Sequence, residues 1–181
     1  MSIGRGDFVL VDYVTRIKET GEIFDTTMEE EAKKGGIFKG DAIYEPMLIV
    51  VGEGWVLREL DQSLIGLELG KPAVIEIPPE KAFGMRDPGK VRLMPMRRFR
   101  GKNVNLYPGA QVEVDGKLAV VRSVSSGRVQ LDFNPPLAGK TLVYDLTVKS
   151  KVEGDREKTV ALIHRRIPSV EVAKFGVEIV E

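Results

Sequence analysis

Runs of valine, isoleucine and aromatic residues, each stopped by glycine or proline, push this chain towards sheet rather than helix. The first is "DFVLVDYVTRIKE" (7–19), turned back at Gly21. "MLIVVGEG" (47–54) ends in two glycines, and "KPAVIEIPP" (71–79) ends in two prolines. Residues 110–133 read as strand, Asp-Gly turn, strand, Ser-Gly turn, strand, the pattern of a small all-β unit. "NPPLAG" (134–139) punctuates the chain before a last long strand at 140–152. Helical period appears in few places. Leu57, Leu60 and Leu64 stand at i, i+3 and i+7, with Gly66 placed to close the helix. Val160, Ile163 and Ile167 mark one face of a second helix over 155–167. Residues 27–46 read as a short charged helix and an exposed excursion, and "PSVEVAKFGVEIVE" (168–181) reads as a hairpin.

Composition removes several function classes. Lys plus Arg and Asp plus Glu both number 27, so no whole-molecule field draws nucleic acid or an anionic membrane. The chain has no cysteine, which excludes disulfides and thiol catalysis and points to a reducing compartment. The N-terminus shows no signal-peptide pattern, and no apolar run approaches the roughly 20 residues that span a bilayer; a cytoplasmic protein is expected. The single histidine, His164, reads as an ordinary surface or half-buried residue. "MEEEAKK" reads as a solvated helix face rather than a metal site, and no phosphate-binding glycine loop is present. The basic stretch 86–102, with Arg97, Arg98 and Arg100, has only Phe99 interleaved, so a solvated loop is the simpler reading than an RNA contact. What remains is a scatter of apolar and aromatic residues: Tyr13, Phe24, Asp25, Val56, Leu57, Leu60, Phe83 and Tyr144. Core packing is the favoured reading of Val56 and Leu60 taken singly. Asp25 stands apart, because an acid beside an apolar pocket needs a hydrogen bond, and Tyr13 is a candidate donor. Taken alone, these residues leave a core and a pocket both open.

Four segments resemble a known family in order and spacing: "VDYV…TGEIFDTT", "VVGEGWVLRELDQSLIGLELG", "IEIPPEKAFG" and "FNPPLAGKTLVYDLTV". They are similar to FKBP-type peptidyl-prolyl cis/trans isomerases, and within these to the SlyD-like and long archaeal branch. The resemblance covers roughly residues 5–152. It implies an α+β fold in which a twisted antiparallel sheet wraps on a short helix. The isomerase domain would comprise 1–86 plus 136–152. A small all-β insert-in-flap domain would occupy 87–135, and a small α+β C-terminal extension 153–181.

The resemblance also implies the site. Tyr13, Asp25, Leu57, Phe83 and Tyr144 would be catalytic, with Phe24, Met47, Val56 and Leu60 lining the substrate pocket. The Leu57 N–H would grip a substrate carbonyl, and Asp25 would sit near the prolyl amide. Neither metal nor cofactor is implied. Two positions depart from the family: Phe83 stands where relatives usually carry tyrosine, and Pro135 where they carry histidine. The histidine- and cysteine-rich tail of bacterial relatives is absent as well, which argues against a nickel role. Val91, Leu93, Met94 and Met96 would form an exposed chaperone surface on the insert, although some of them must build the insert's own core. The implied partners are unfolded or partly folded polypeptides with X–Pro bonds, and FK506-type macrolides as a further ligand class. A non-catalytic holdase and an RNA- or ribosome-contacting β protein are the alternatives.

Overall fold

The computed structural model describes residues 2–99, 104–169 and 176–178. The chain divides into two compact units: Met1–Ala82 with Lys140–Glu181, and Phe83–Gly139.

The first unit is built on a five-stranded antiparallel sheet. Its strands are β1 (Phe8–Ile17), β2 (Ile23–Thr26), β3 (Met47–Val50), β4 (Pro72–Ile77) and β9 (Leu142–Val152). β1 is the hub. Its far side pairs along its whole length with β9, which in turn pairs with β4. On its near side the first half pairs with β3 and the second half with β2. Two strands share this edge because each takes a short segment of the ten-residue β1, Phe8–Val11 for β3 and Val14–Arg16 for β2; the register with β2 shifts between Thr15 and Arg16. The helix α2 (Arg58–Ser63) buries Leu60, and Leu64 follows it fully buried at its C-terminal end. These leucines meet Val9, Val11, Tyr13, Ile49, Ile77, Leu142, Leu146 and Val148 in one apolar core. The period-2 rows of the strands and the leucine stripe of the helix thus face each other. The helix is capped at Leu64, and Gly66, two residues on, takes φ 88° in the turn that follows, its N–H donating to the Ile3 carbonyl rather than to the helix.

Two further helices belong to this unit. The helix α1 (Glu29–Lys34) is the charged piece expected within 27–46. Its acids are solvated and paired with its own lysines, Glu29 with Lys33 and Glu31 with Lys34. The helix α3 (Asp155–Arg166) packs against β3 and β9. The hairpin expected over 168–181 falls largely outside the described residues.

The second unit is a four-stranded antiparallel sheet in the order β5-β8-β7-β6: β5 (Val91–Pro95), β8 (Arg128–Asp132), β7 (Lys117–Ser125) and β6 (Gln111–Val114). Both hairpin turns have positive φ at two successive residues, Asp115–Gly116 and Ser126–Gly127. That geometry matches strand twist and is why Asp-Gly and Ser-Gly signal hairpins. Its own core gathers Phe99, Val112, Val114, Val121, Val129 and Leu131. The Gly139 N–H donates to the Gly84 carbonyl, and the Asn134 side chain bonds the Asp87 backbone, so the unit closes several residues outside its strands. Asp132, 2% exposed, is held by the guanidiniums of Arg86 and Arg122 and by Asn134.

The strand β5 lies within the stretch read as a basic loop. It is an edge strand, where solvent tolerates Arg92 and the absent N–H of Pro95. Met94, expected with the exposed set, is 8% exposed and lies in the core instead. Alternation along β5 turns it to the opposite face from Leu93, which is 57% exposed. Met96 is also exposed and Val91 half-buried.

Candidate active site

A small cavity of about 150 Å3 opens between the sheet and α2. Tyr13 and Val11 reach it from β1, and Tyr144 and Leu146 from β9. Met47 and Ile49 come from β3; Val56, Leu57, Leu60 and Leu64 come from α2 and its approach. Asp25, on β2, is the single charged residue in the lining. A space of this size admits one small ring.

The Tyr13 hydroxyl donates to Asp25 Oδ2 at 2.8 Å. Asp25 is exposed while Tyr13 is 7% exposed, so the bond ties a carboxylate at the mouth to a ring in the wall. The Tyr13 backbone is fixed separately. Its N–H donates to Thr27 Oγ1 at 2.9 Å, and its carbonyl accepts from Thr26 Oγ1 at 2.8 Å. The Tyr13 and Tyr144 rings are 5.9 Å apart and tilted by 53°. Burial pushes the Tyr13 phenol well above its ordinary range, and the negative charge and hydrogen bond of Asp25 push it further. The Tyr144 phenol is also raised by burial, against a smaller lowering by the Thr15 hydroxyl. Both phenols stay neutral donors at physiological pH.

The floor depends on a residue that the sequence reading left out. Asp61, 5% exposed on α2, accepts the N–H of Gly52 through Oδ1 at 2.8 Å and that of Gly54 through Oδ2 at 2.9 Å. It therefore shapes the loop that delivers Trp55, Val56 and Leu57. The signal was present: Asp61 is four residues after Leu57, on the inward stripe, where an acid must be hydrogen-bonded. Leu57 is the N-cap residue of α2, so its own N–H precedes the helical ladder.

Of the nine residues named as catalytic or substrate-binding, seven line this cavity: Tyr13, Asp25, Met47, Val56, Leu57, Leu60 and Tyr144. Phe24 packs against the first core without lining the cavity. Phe83 is the first residue of the second unit and is 45% exposed. The cavity is lined wholly by residues of the first unit.

Such a site suits a reaction without bond making. Rotation about an X–Pro amide is slow because resonance must be lost. The twisted transition state is less polar than the planar amide, so an apolar cavity favours it without nucleophile or metal.

Comparison with known proteins agrees. Residues 92–137 match the family described as the FKBP26 IF domain. The chain is 33% identical over 155 residues to the short-type peptidyl-prolyl cis-trans isomerase of Methanocaldococcus jannaschii, covering 86% of this chain and 98% of that one. It is 30% identical to a probable FKBP-type 16 kDa peptidyl-prolyl cis-trans isomerase of Pseudomonas fluorescens, covering 81% and 89%. To the FKBP-type isomerase SlyD of Helicobacter pylori it is 24% identical, covering 86% and 78%. An antiparallel sheet over a short helix, an apolar ring-sized cavity and these relatives lead to one conclusion: the chain belongs to the FKBP-type peptidyl-prolyl cis-trans isomerases.

Proposed function

We propose that the 150 Å3 cavity is the prolyl site, and that Tyr13 and Asp25 orient the amide there while Leu57 holds a substrate carbonyl. The carrying observation is the 2.8 Å bond between Tyr13 and Asp25 at the mouth of an otherwise apolar cavity. In this reading the prolyl ring enters the cavity and the X–Pro amide lies at the mouth, beside Asp25. Apolar walls lower the energy of the twisted amide. The Leu57 N–H, with no helical partner, holds a carbonyl that would otherwise lose its hydrogen bonds on leaving water. By family resemblance Phe83 also belongs to the site; Phe83→Tyr, which adds the hydroxyl usual in relatives, tests it through kcat/KM.

Residues 87–135 act as the chaperone insert in this reading, with Leu93, Met96 and Val91 meeting non-native chains. The exposure of Leu93 and Met96 supports the role, and the flexible thioether of Met96 suits varied partners. The insert captures unfolded polypeptides and raises the local concentration of X–Pro bonds at the prolyl site. In this reading the protein acts in the cytoplasm on polypeptides with X–Pro bonds, and FK506-type macrolides are a further ligand class. Nucleic acid is a poor fit, since Arg98 is paired with Asp115 and net charge is zero. Refolding of a proline-limited protein tests the reading. Wild type accelerates the slow phase, and Asp25→Ala does so about tenfold less or weaker still. Suppressed aggregation with an unchanged slow phase would instead mark a holdase.

A further inference from the structure

Beside the ring-sized cavity lies a cleft of about 1140 Å3, and Tyr13, Asp25 and Met47 line both spaces. One wall of the cleft is α3, through Val160, Ala161 and His164; Leu48 and Val152 of the sheet line it as well. The helix is fastened to the rim of the cavity. The Arg165 guanidinium donates to the Leu48 carbonyl at 2.9 Å and lies 4.2 Å from the centre of the Trp55 ring. His164 Nε2 is 2.8 Å from Glu45 Oε1. Trp55 directly precedes Val56 and Leu57, so the helix that walls the cleft also braces the loop of the cavity floor.

A cavity of 150 Å3 admits the prolyl ring and little else. The residues flanking that proline must run elsewhere, and the adjoining cleft shares three side chains with the cavity. We infer that this cleft is an extended subsite, walled by α3, that holds the residues flanking the isomerising X–Pro bond of an extended polypeptide and favours apolar and basic side chains. The inference rests on the small cavity being the prolyl site. Apolar preference follows from the Leu48, Val152, Val160 and Ala161 surfaces. Basic preference follows from charge: Asp25, Asp41, Glu45 and Glu157 line the cleft against Arg156 and Arg165, an excess of acids in a lining where His164 meets Glu45.

The test uses three peptides with one shared Ala-Leu-Pro-Phe core: the tetrapeptide alone, a twelve-residue peptide with Leu and Lys flanks, and one with Leu and Glu flanks. Isomerisation is read by NMR exchange, and kcat/KM of each long peptide is divided by that of the tetrapeptide. Changes common to both then cancel. For wild type the Lys-flanked ratio is expected at about tenfold, carried by KM. Ala161→Trp, which fills the cleft, brings it close to one. Leu162→Trp, on the same helix but outside the cleft lining, keeps the wild-type ratio. Glu157→Lys, at an exposed position that tolerates either residue, shifts preference towards the Glu-flanked peptide. Equal ratios in wild type and Ala161→Trp, with the tetrapeptide still turned over, would overturn the subsite alone. A tetrapeptide that wild type does not accelerate would overturn the prolyl site and the subsite together.

Discussion

Two side chains carry the proposed chemistry, and their hydrogen bond sets what substitutions do. Asp25→Ala removes the carboxylate from the mouth of the cavity and leaves the Tyr13 hydroxyl without its acceptor. A hydrogen bond to a charged group is worth about 1.5–3 kcal/mol, so kcat/KM on a short peptide should fall about tenfold or more. Tyr13→Phe keeps the ring and its packing but loses the bond, and a smaller loss of a few fold is expected. The phenol also makes a pH prediction. The Tyr13 hydroxyl ionises far less readily in the folded chain than at its ordinary value of 10.0. Above pH 10 the unfolded chain therefore loses a proton that the folded chain keeps. Stability contributed below that pH is lost as pH rises further. Urea midpoints measured at pH 9 and pH 11 should fall for wild type and fall less for Tyr13→Phe. An equal fall in both would show that this phenol contributes nothing.

Among the elements, α2 shows what a six-residue helix needs to hold a site. Asp61 satisfies two glycine N–H groups from inside the core, and Asp61→Ala would leave both unpaired. A loss of about 3 kcal/mol is expected, with Asp61→Asn, which retains one acceptor, losing less; urea denaturation reads both. The strands and this helix were legible in the sequence because their periods differ, and Leu57, Leu60 and Leu64 mark the inward face plainly. Asp61 is not legible in the same way, because a charged side chain interrupts the apolar stripe and its two glycine partners lie in the preceding loop. The strand β5 was missed for a different reason. Pairing on one side only lets an edge strand carry Arg92 and Pro95, so local propensity argued against it. The same alternation that defines β5 turned Met94 inward, and side-chain type cannot reveal that without the register. The α3 cleft left no trace in any single segment, since its walls come from stretches more than a hundred residues apart. In the second unit Asp132 plays the fastening part. Burial alone would raise its carboxyl, but Asn134, Arg122 and Arg86 bring it below the ordinary 3.8. The stability it contributes is present above that value and is lost as pH falls through its folded value. Asp132→Ala should destabilise this unit by about 3 kcal/mol, visible in a separate thermal transition.

At the scale of the whole molecule, the proposed function gives its two units different tasks. Deleting residues 88–134 removes the β5–β8 sheet while keeping the residues that line the prolyl cavity. Isomerisation of short peptides should be spared and catalysis of protein refolding should drop. Equal losses in both assays would contradict this division of labour. Among the described residues no helix is long and apolar enough to cross a membrane. The central claim is that the Tyr13–Asp25 cavity catalyses prolyl isomerisation. Its most direct measurement is the slow phase of a proline-limited refolding reaction, followed with wild type and Asp25→Ala at equal concentration. Wild type should accelerate that phase in proportion to its concentration, and Asp25→Ala should give about a tenth of the acceleration or less. Full acceleration by Asp25→Ala would contradict the account.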